Sequence, residues 1–373
     1  MQRMILGRTG LEVYRLGFGG IPIQRVSEAE AVETVRHAIE RGLDFIDTSR
    51  AYSTSERRIG LALKEAGVGA GRPGDVGSGA AGSDAIGSGV AGSGAARRGA
   101  SRRVILASKS HAKTAGGMRA HLETSLKELQ TDYIDIYKAH FVATHAEYQT
   151  VISPGGALEA LLKARDEGLI GHIGLTSHDL EVLESCLDDG LFDVIMVCFS
   201  FLEPQARERI IPKALEKNIG VLAMKPFSGG VIEDPRLALK YALGEPGVLV
   251  LAGVESPALF DENWRVFQEG APLTDAEQER IAELQRTYDK VFCRRCDYCQ
   301  PCTESISIQT VLGVRALVKR LGKDTRQKGP LWPAIDKARN CTACGECMPR
   351  CPYELPIPDL IRENLRWLDE LEG

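Results

Sequence analysis

Eight of the ten cysteines in this chain fall between Cys293 and Cys351. Cys293, Cys296, Cys299 and Cys302 are each separated by two residues. Cys341, Cys344, Cys347 and Cys351 follow a C-x2-C-x2-C-x3-C pattern that ends on Pro352. Three thiolates at x2 spacing let one loop wrap three corners of a cubane, and a remote fourth closes it. Zinc is the alternative, although its sites pair two separate C-x2-C knuckles rather than run three in a row. The second motif is the stronger one. The first has two residues before Cys302 and carries Thr303 where proline is usual. Such clustering in a reducing compartment argues for metal ligation over disulfides. Cys186 and Cys198 stand apart and read as small buried hydrophobes.

The other three quarters of the chain have a different rhythm. With 43% hydrophobic and 26% charged residues, the chain has material for a sizeable core. Short apolar runs recur at 43–46, 104–107, 133–137, 170–175, 194–197, 221–224 and 248–251, after an opening strand near Val13 to Gly17. That makes eight, and amphipathic helices lie between them. One helix starts at Ser27 with Glu30 three residues on, a capping box, and buries Val32, Val35 and Ile39. Another aligns Met118, Leu122, Leu126 and Leu129 on one face. Eight strand–helix repeats predict an α/β fold, a parallel (β/α)8 TIM barrel over residues 1–270. The alternative is an open doubly wound sheet. Against it, Gly17-Phe18-Gly19-Gly20 lacks the Gly-x-Gly-x-x-Gly spacing and reads as a tight bend. Thr274 caps a connecting helix within 271–292 that turns Ile281 and Leu284 inward. A small, mainly helical iron–sulfur domain is expected over 293–373.

Residues 67–99 break the rhythm with 12 of the 39 glycines and a near-repeat, Gly77-Ser78-Gly79-Ala80-Ala81-Gly82-Ser83 and Gly87-Ser88-Gly89-Val90-Ala91-Gly92-Ser93. Too little apolar surface is present to offset the entropy of ordering, so the segment reads as a flexible insertion. Arg97, Arg98, Arg102 and Arg103 close it as a solvated basic hinge. A net charge of −5 argues against nucleic acid as a partner. No run of ~18 apolar residues is present and the start lacks a signal-peptide pattern, so no membrane is involved and a cytoplasmic location is expected.

Three successive strand ends carry ionisable residues. The second strand leads into Asp47-Thr48-Ser49-Arg50-Ala51-Tyr52, the third ends Ala107-Ser108-Lys109, and the fourth ends Tyr137-Lys138-Ala139-His140. In a β/α barrel, catalytic groups gather at these ends. Together they suit proton donation to a carbonyl as hydride arrives. Tyr52 is the acid, and a nearby ammonium stabilises its phenolate. Lys109 supplies that ammonium, Asp47 holds it, and His140 orients the carbonyl. Phe18, Tyr52, Phe141 and Phe227 are candidates for the pocket wall or for packing.

These residues resemble the aldo-keto reductase family over roughly residues 1–270. The marks are Leu6-Gly7-Arg8-Thr9-Gly10-Leu11-Glu12-Val13 and Gly42-Leu43-Asp44-Phe45-Ile46-Asp47-Thr48-Ser49-Arg50-Ala51-Tyr52. The resemblance implies an eight-fold barrel, the tetrad Asp47, Tyr52, Lys109 and His140, and a nicotinamide cofactor, NADP(H) or NAD(H), across the mouth. By position it implies cofactor contacts at Ser177, Ser200, Lys225, Pro226, Gly253 and Asn263. Gly253-Val254-Glu255-Ser256 lacks the usual basic partner of a 2′-phosphate, which leaves the choice of nicotinamide open. The tail resembles a two-cluster ferredoxin-type domain, with a helix-like stretch from Val311 to Leu321. By that resemblance one 4Fe-4S cluster takes Cys293, Cys296, Cys299 and Cys351, and the other takes Cys341, Cys344, Cys347 and Cys302. Without Cys302, one cluster forms. The pairing of barrel and tail resembles a group of bacterial and archaeal oxidoreductases.

The implied function is reduction of a small carbonyl or oxidation of an alcohol, with clusters linking the barrel to one-electron transfer. Hydride moves as two electrons and clusters pass one at a time, so a flavin or a redox partner, flavoprotein or ferredoxin, is expected. Two other readings stay open. In one, the chain is an electron-transfer subunit whose barrel docks or senses cofactor. In the other, the clusters are purely structural.

Overall fold

A computed structural model describes residues 3–69, 103–295, 298–321 and 332–371. The expected flexible insertion lies, from residue 70 onward, outside the described residues, as do Arg97, Arg98, Arg102 and Cys296.

Strands β1 (Arg3–Ile5) and β2 (Glu12–Tyr14) form an antiparallel hairpin. Strands β3 (Leu16–Gly19), β4 (Phe45–Asp47), β5 (Ile105–Ser110), β6 (Ile134–Ala139), β7 (Ile170–Thr176), β8 (Val194–Cys198), β9 (Gly220–Met224) and β10 (Val248–Gly253) close a parallel barrel, β10 pairing with β3. The opening strand expected near Val13 to Gly17 therefore divides. Val13 belongs to the hairpin, whose Leu6, Leu11 and Val13 plug the barrel floor against Phe45, Ile105, Ile136, Val194, Leu222 and Leu249. The first barrel strand starts only at Leu16.

Helices α1 (Glu28–Arg41), α2 (Ser55–Glu65), α3 (Ala115–Leu129), α4 (His145–Ile152), α5 (Ala157–Asp166), α6 (Leu180–Asp189), α7 (Ala206–Arg209), α8 (Ile211–Glu216), α9 (Pro235–Leu243), α10 (Pro257–Glu269) and α11 (Asp275–Asp289) follow around the barrel. The Ser27–Glu30 capping box starts α1, and Val32, Val35 and Ile39 are buried. Met118, Leu122 and Leu129 of α3 are buried and Leu126 packs beside them. Thr274 and Glu277 form a second capping box at α11. Ile281 and Phe292 join the core between sheet and helices, so α11 is packed on the barrel itself.

The tail holds α12 (Ile308–Leu312), α13 (Val314–Leu321), α14 (Trp332–Asp336) and α15 (Ile357–Glu370). The helix expected over Val311 to Leu321 is thus two pieces, split at Gly313, where the entropic cost of a helical glycine favours a break. Ile306, Ile308, Val311, Val314, Trp332, Ile335, Leu355, Ile357, Ile361 and Leu368 form a separate small core.

This tail lies against the open, C-terminal end of the barrel. Arg295 pairs with Glu203 after β8 at 2.5 Å. Lys319 on α13 donates to the Gly230 carbonyl after β9 at 2.7 Å, and its own carbonyl accepts from Arg25 after β3 at 2.6 Å. The Tyr298 hydroxyl donates to Glu181 at the start of α6 at 3.2 Å.

Candidate active site and metal centre

Parallel strands place every second side chain inside the barrel. On that parity, Asp47 of β4, Lys109 of β5, and Lys138 and His140 on and just after β6 converge at the mouth. Lys109 and Lys138 are register partners. Asp47 lies between them: one carboxylate oxygen accepts from Lys109 and the other accepts from Lys138 at 2.6 Å. All three side chains are buried. Lys109 also donates to the Thr48 carbonyl at 2.8 Å, and its ammonium lies 4.8 Å from the Tyr52 ring centre. Burial disfavours the Lys109 ammonium, but Asp47 and the Tyr52 phenol outweigh it and leave its pKa above the ordinary lysine value.

His140 stands edge-on to Tyr52, with ring centres 5.8 Å apart. Its Nδ1 lies 3.0 Å from the Ser49 hydroxyl, which leaves Nε2 for a substrate oxygen. Burial, and then the cation on Lys109, push its pKa well below the usual histidine value, so the ring is neutral at pH 7. A second ring, His111, lies 4.1 Å from it. Burial and the ammoniums of Lys113 and Lys109 lower His111 as well.

Five of the six residues expected on the cofactor side lie at or just after the ends of β7 to β10. Ser177 donates to the Val142 carbonyl at 2.7 Å. Ser200 shares a 2.8 Å hydrogen bond with Ser228. Lys225 adopts φ +58° and sets its ammonium 3.0 Å from His178 Nε2, with Pro226 following. Gly253 packs against Pro22, where a Cβ would fall 2.9 Å from the proline ring. Asn263 is buried on α10. A basic group does reach the loop after β10, but from elsewhere in the chain. Arg25 pairs with Glu255 at 2.7 Å and is held by Lys319 as well. Of the candidate wall residues, Phe18 is in the sheet–helix core, Phe227 packs on that core, and Phe141 is exposed between His111 and His178.

In the tail, Cys302, Cys341, Cys344 and Cys347 line one cavity, walled by Ile306, Ile308 and Ile361. Burial raises the Cys347 thiol, and crowding by Cys341, Cys344 and Cys302 adds to it. Four thiols around one cavity are the donor type and number that a 4Fe-4S cluster takes. The backbone N–H of Glu346 and the Thr303 hydroxyl favour the thiolate at Cys344. Cys299 and Cys351 are buried in the tail core and Cys293 packs beside it, while their expected companion Cys296 is outside the described residues. Cys186 is fully buried, as a small hydrophobe should be. Cys198, also buried, has a charged neighbour instead, Arg295 from the cysteine loop.

Four participants escaped the sequence reading. Lys138 was signalled by parity, since it is two residues before His140 on one strand. Ser49 was signalled by its place in the turn between Asp47 and Tyr52. The Arg295–Glu203 pair spans 92 residues and left no local signal.

A barrel whose mouth gathers a phenol, two ammoniums, a carboxylate and a neutral imidazole, with a thiol-rich extension against that mouth, defines a class: barrel oxidoreductases joined to an iron–sulfur domain. Residues 15–237 match the aldo/keto reductase family and residues 292–356 match the 4Fe-4S dicluster domain. The chain belongs to the aldo/keto reductase family. L-galactose dehydrogenase of Arabidopsis thaliana is 26% identical over 334 residues, covering 77% of this chain and 94% of that protein. Aldo-keto reductase AKR11C1 from Bacillus halodurans, in its holo form, superposes with a TM-score of 0.58 at 22% identity, over 76% of this chain and 96% of that one. An aldo-keto reductase from Klebsiella pneumoniae in complex with NADPH gives 0.57 at 20% identity, over 76% and 95%. At these identities the two solved structures show the barrel fold.

Proposed function

We propose that this chain reduces a small carbonyl compound, or oxidises the matching alcohol, with Tyr52 as proton donor. The observation that carries this reading is the convergence of Asp47, Tyr52, Lys109 and His140 at the ends of three consecutive strands. When bound, the nicotinamide supplies or accepts the hydride. The chain's residues do the rest. His140, neutral and held through Nδ1, donates from Nε2 to the carbonyl oxygen and orients it. The Tyr52 O–H bond breaks as the proton passes to that oxygen. Lys109, charged and fixed by Asp47, stabilises the phenolate left behind. In the oxidative direction the same phenolate takes the proton back.

Ser177, Ser200, Lys225, Pro226, Gly253 and Asn263 are the proposed cofactor contacts. Lys225, whose ammonium donates to His178 Nε2, gives the mouth positive charge suited to a pyrophosphate. Arg25 is already neutralised by Glu255, which favours neither NADP(H) nor NAD(H).

The proposed iron ligands are Cys302, Cys341, Cys344 and Cys347 for one 4Fe-4S cluster, with Cys293, Cys296, Cys299 and Cys351 for the other. The tail's seat at the mouth supports electron transfer between clusters and nicotinamide through a redox partner of flavoprotein or ferredoxin type. Among the described residues no helix is long and apolar enough to cross a membrane. The thiol-rich tail supports a reducing, cytoplasmic setting.

The test is Tyr52→Phe, assayed by NADPH oxidation with 4-nitrobenzaldehyde. Loss of a general acid is expected to lower kcat by about 100- to 10,000-fold. Unchanged turnover in a protein with an intact cluster spectrum overturns the donor assignment.

A further inference from the structure

Asp47 holds two buried ammoniums with one carboxylate. Lys109 is the one the donor assignment needs. Lys138 is the other, fully buried and 2.6 Å from the second carboxylate oxygen. The barrel makes room for it. Gly174 is its register partner on β7, where a Cβ would fall 2.7 Å from Lys138 Cγ and 2.8 Å from the Val194 carbonyl. Burying a second charge is costly, and apolar side chains such as Met196 and Met224 fill other inward positions without that cost.

We propose that Lys138 is a positioning residue for the reaction, acting through Asp47 and Tyr52 as an excess positive charge that favours the phenolate. The proposal rests on Tyr52 as proton donor. The charge count carries it. With Tyr52 protonated, Asp47, Lys109 and Lys138 sum to one positive charge. Once Tyr52 has given its proton, the group is neutral. Without Lys138 the same step starts from neutral and ends with a net negative charge in a buried site.

The charged groups facing Lys138 are Asp47 from β4 and Lys109 from β5, while β7 presents only Gly174. His140, on its own strand, and the adjoining His111 are both lowered and stay neutral above the usual histidine range. Burial, opposed by Asp47, brings Lys138 down to about 8. Its charge is therefore present below that pH and lost as pH rises through it.

The experiment compares Lys138→Met with the parent holoenzyme for NADPH-dependent reduction of 4-nitrobenzaldehyde and 4-carboxybenzaldehyde across that range. The expected ratio of parent to variant kcat is about tenfold at about pH 6.5 for both aldehydes, and it falls toward one at about pH 9.5. A ratio independent of pH overturns the proposal and leaves Lys138 a packing role. A loss confined to 4-carboxybenzaldehyde also overturns it, in favour of direct contact with a substrate anion. If Lys138→Met does not fold, Lys138→Gln keeps a donor for Asp47 without the charge and is read in the same way. Failure here with an inactive Tyr52→Phe sinks only the role of Lys138. An active Tyr52→Phe sinks the donor reading beneath it.

Discussion

In the barrel, side chains from all eight strands and the surrounding helices build two apolar clusters, one inside the sheet and one outside it. In the tail, a much smaller core counts Cys299, Cys347 and Cys351 among its buried members. The barrel encloses two ammoniums, Lys109 and Lys138, around the single carboxylate of Asp47. The tail gathers four cysteine thiols, Cys302, Cys341, Cys344 and Cys347, around one cavity. A core as small as the tail's is expected to need help beyond apolar burial, as small domains do in general, whereas the barrel's is not. Where the regions meet, the contacts are polar. Half-buried Arg295 pairs with buried Glu203, and Lys319 and Arg25 bond to backbone carbonyls. Such a junction fixes orientation more than it adds stability.

The largest expected effect follows from that contrast. Binding at a structural metal site contributes on the order of 10 kcal/mol, comparable with the whole stability of an ordinary domain. Anaerobic removal of iron from the full chain is expected to leave residues 293–371 open to protease while the barrel stays resistant and keeps its thermal transition. Mass analysis of the fragments checks this. A tail that remains protected without iron breaks the comparison, because its small core is then sufficient.

A smaller effect is expected inside the barrel. Asp47→Asn leaves two buried ammoniums without their carboxylate, and breaking a buried pair costs about 3–5 kcal/mol. The barrel's thermal transition should drop while the cluster absorbance melts as before. Equal shifts in both signals, followed side by side by circular dichroism and visible absorbance, would mean that the two regions fold as one unit.

Much of this arrangement was legible before any coordinates. Parallel strands covered on both faces read as unbroken apolar runs, so the strand count and the residues at strand ends could be counted directly. The capping boxes at Ser27 and Thr274 were equally local signals. The spacing of Cys341, Cys344 and Cys347 likewise marked a loop that wraps one centre, and the three thiols do line one cavity. What local pattern could not supply was partnership. Lys138 looks like one more polar residue at a strand end until parity puts it beside Asp47. Glu203 reads as a loop carboxylate, yet it meets a guanidinium from the cysteine loop. The hairpin plug was missed for the same reason. Val13 and Leu16 read as parts of one strand toward Gly17, and the pairing of β2 with β1 separates them.

The smallest effect addresses the border between the regions. Helix α11 was expected as a connector with Ile281 and Leu284 turned inward; Ile281 packs in the barrel core, and the Gln285 amide donates to the Phe201 carbonyl at 2.7 Å. Its first turn is fixed by Thr274, whose hydroxyl accepts from the Glu277 N–H at 3.3 Å, while Glu277 also receives Lys240 of α9 at 2.7 Å. Thr274→Ala removes the hydroxyl's two bonds to Glu277, one from its N–H and one to its carboxylate, and keeps the Lys240 contact, a change of about 1 kcal/mol. If α11 is part of the barrel, that loss lowers the barrel's thermal transition by a few degrees, on the order expected for a domain of this size. The iron-dependent protection of residues 293–371 should not change. If instead the tail loosens while the barrel melts as before, α11 belongs with the tail, and the boundary between the regions lies before Thr274.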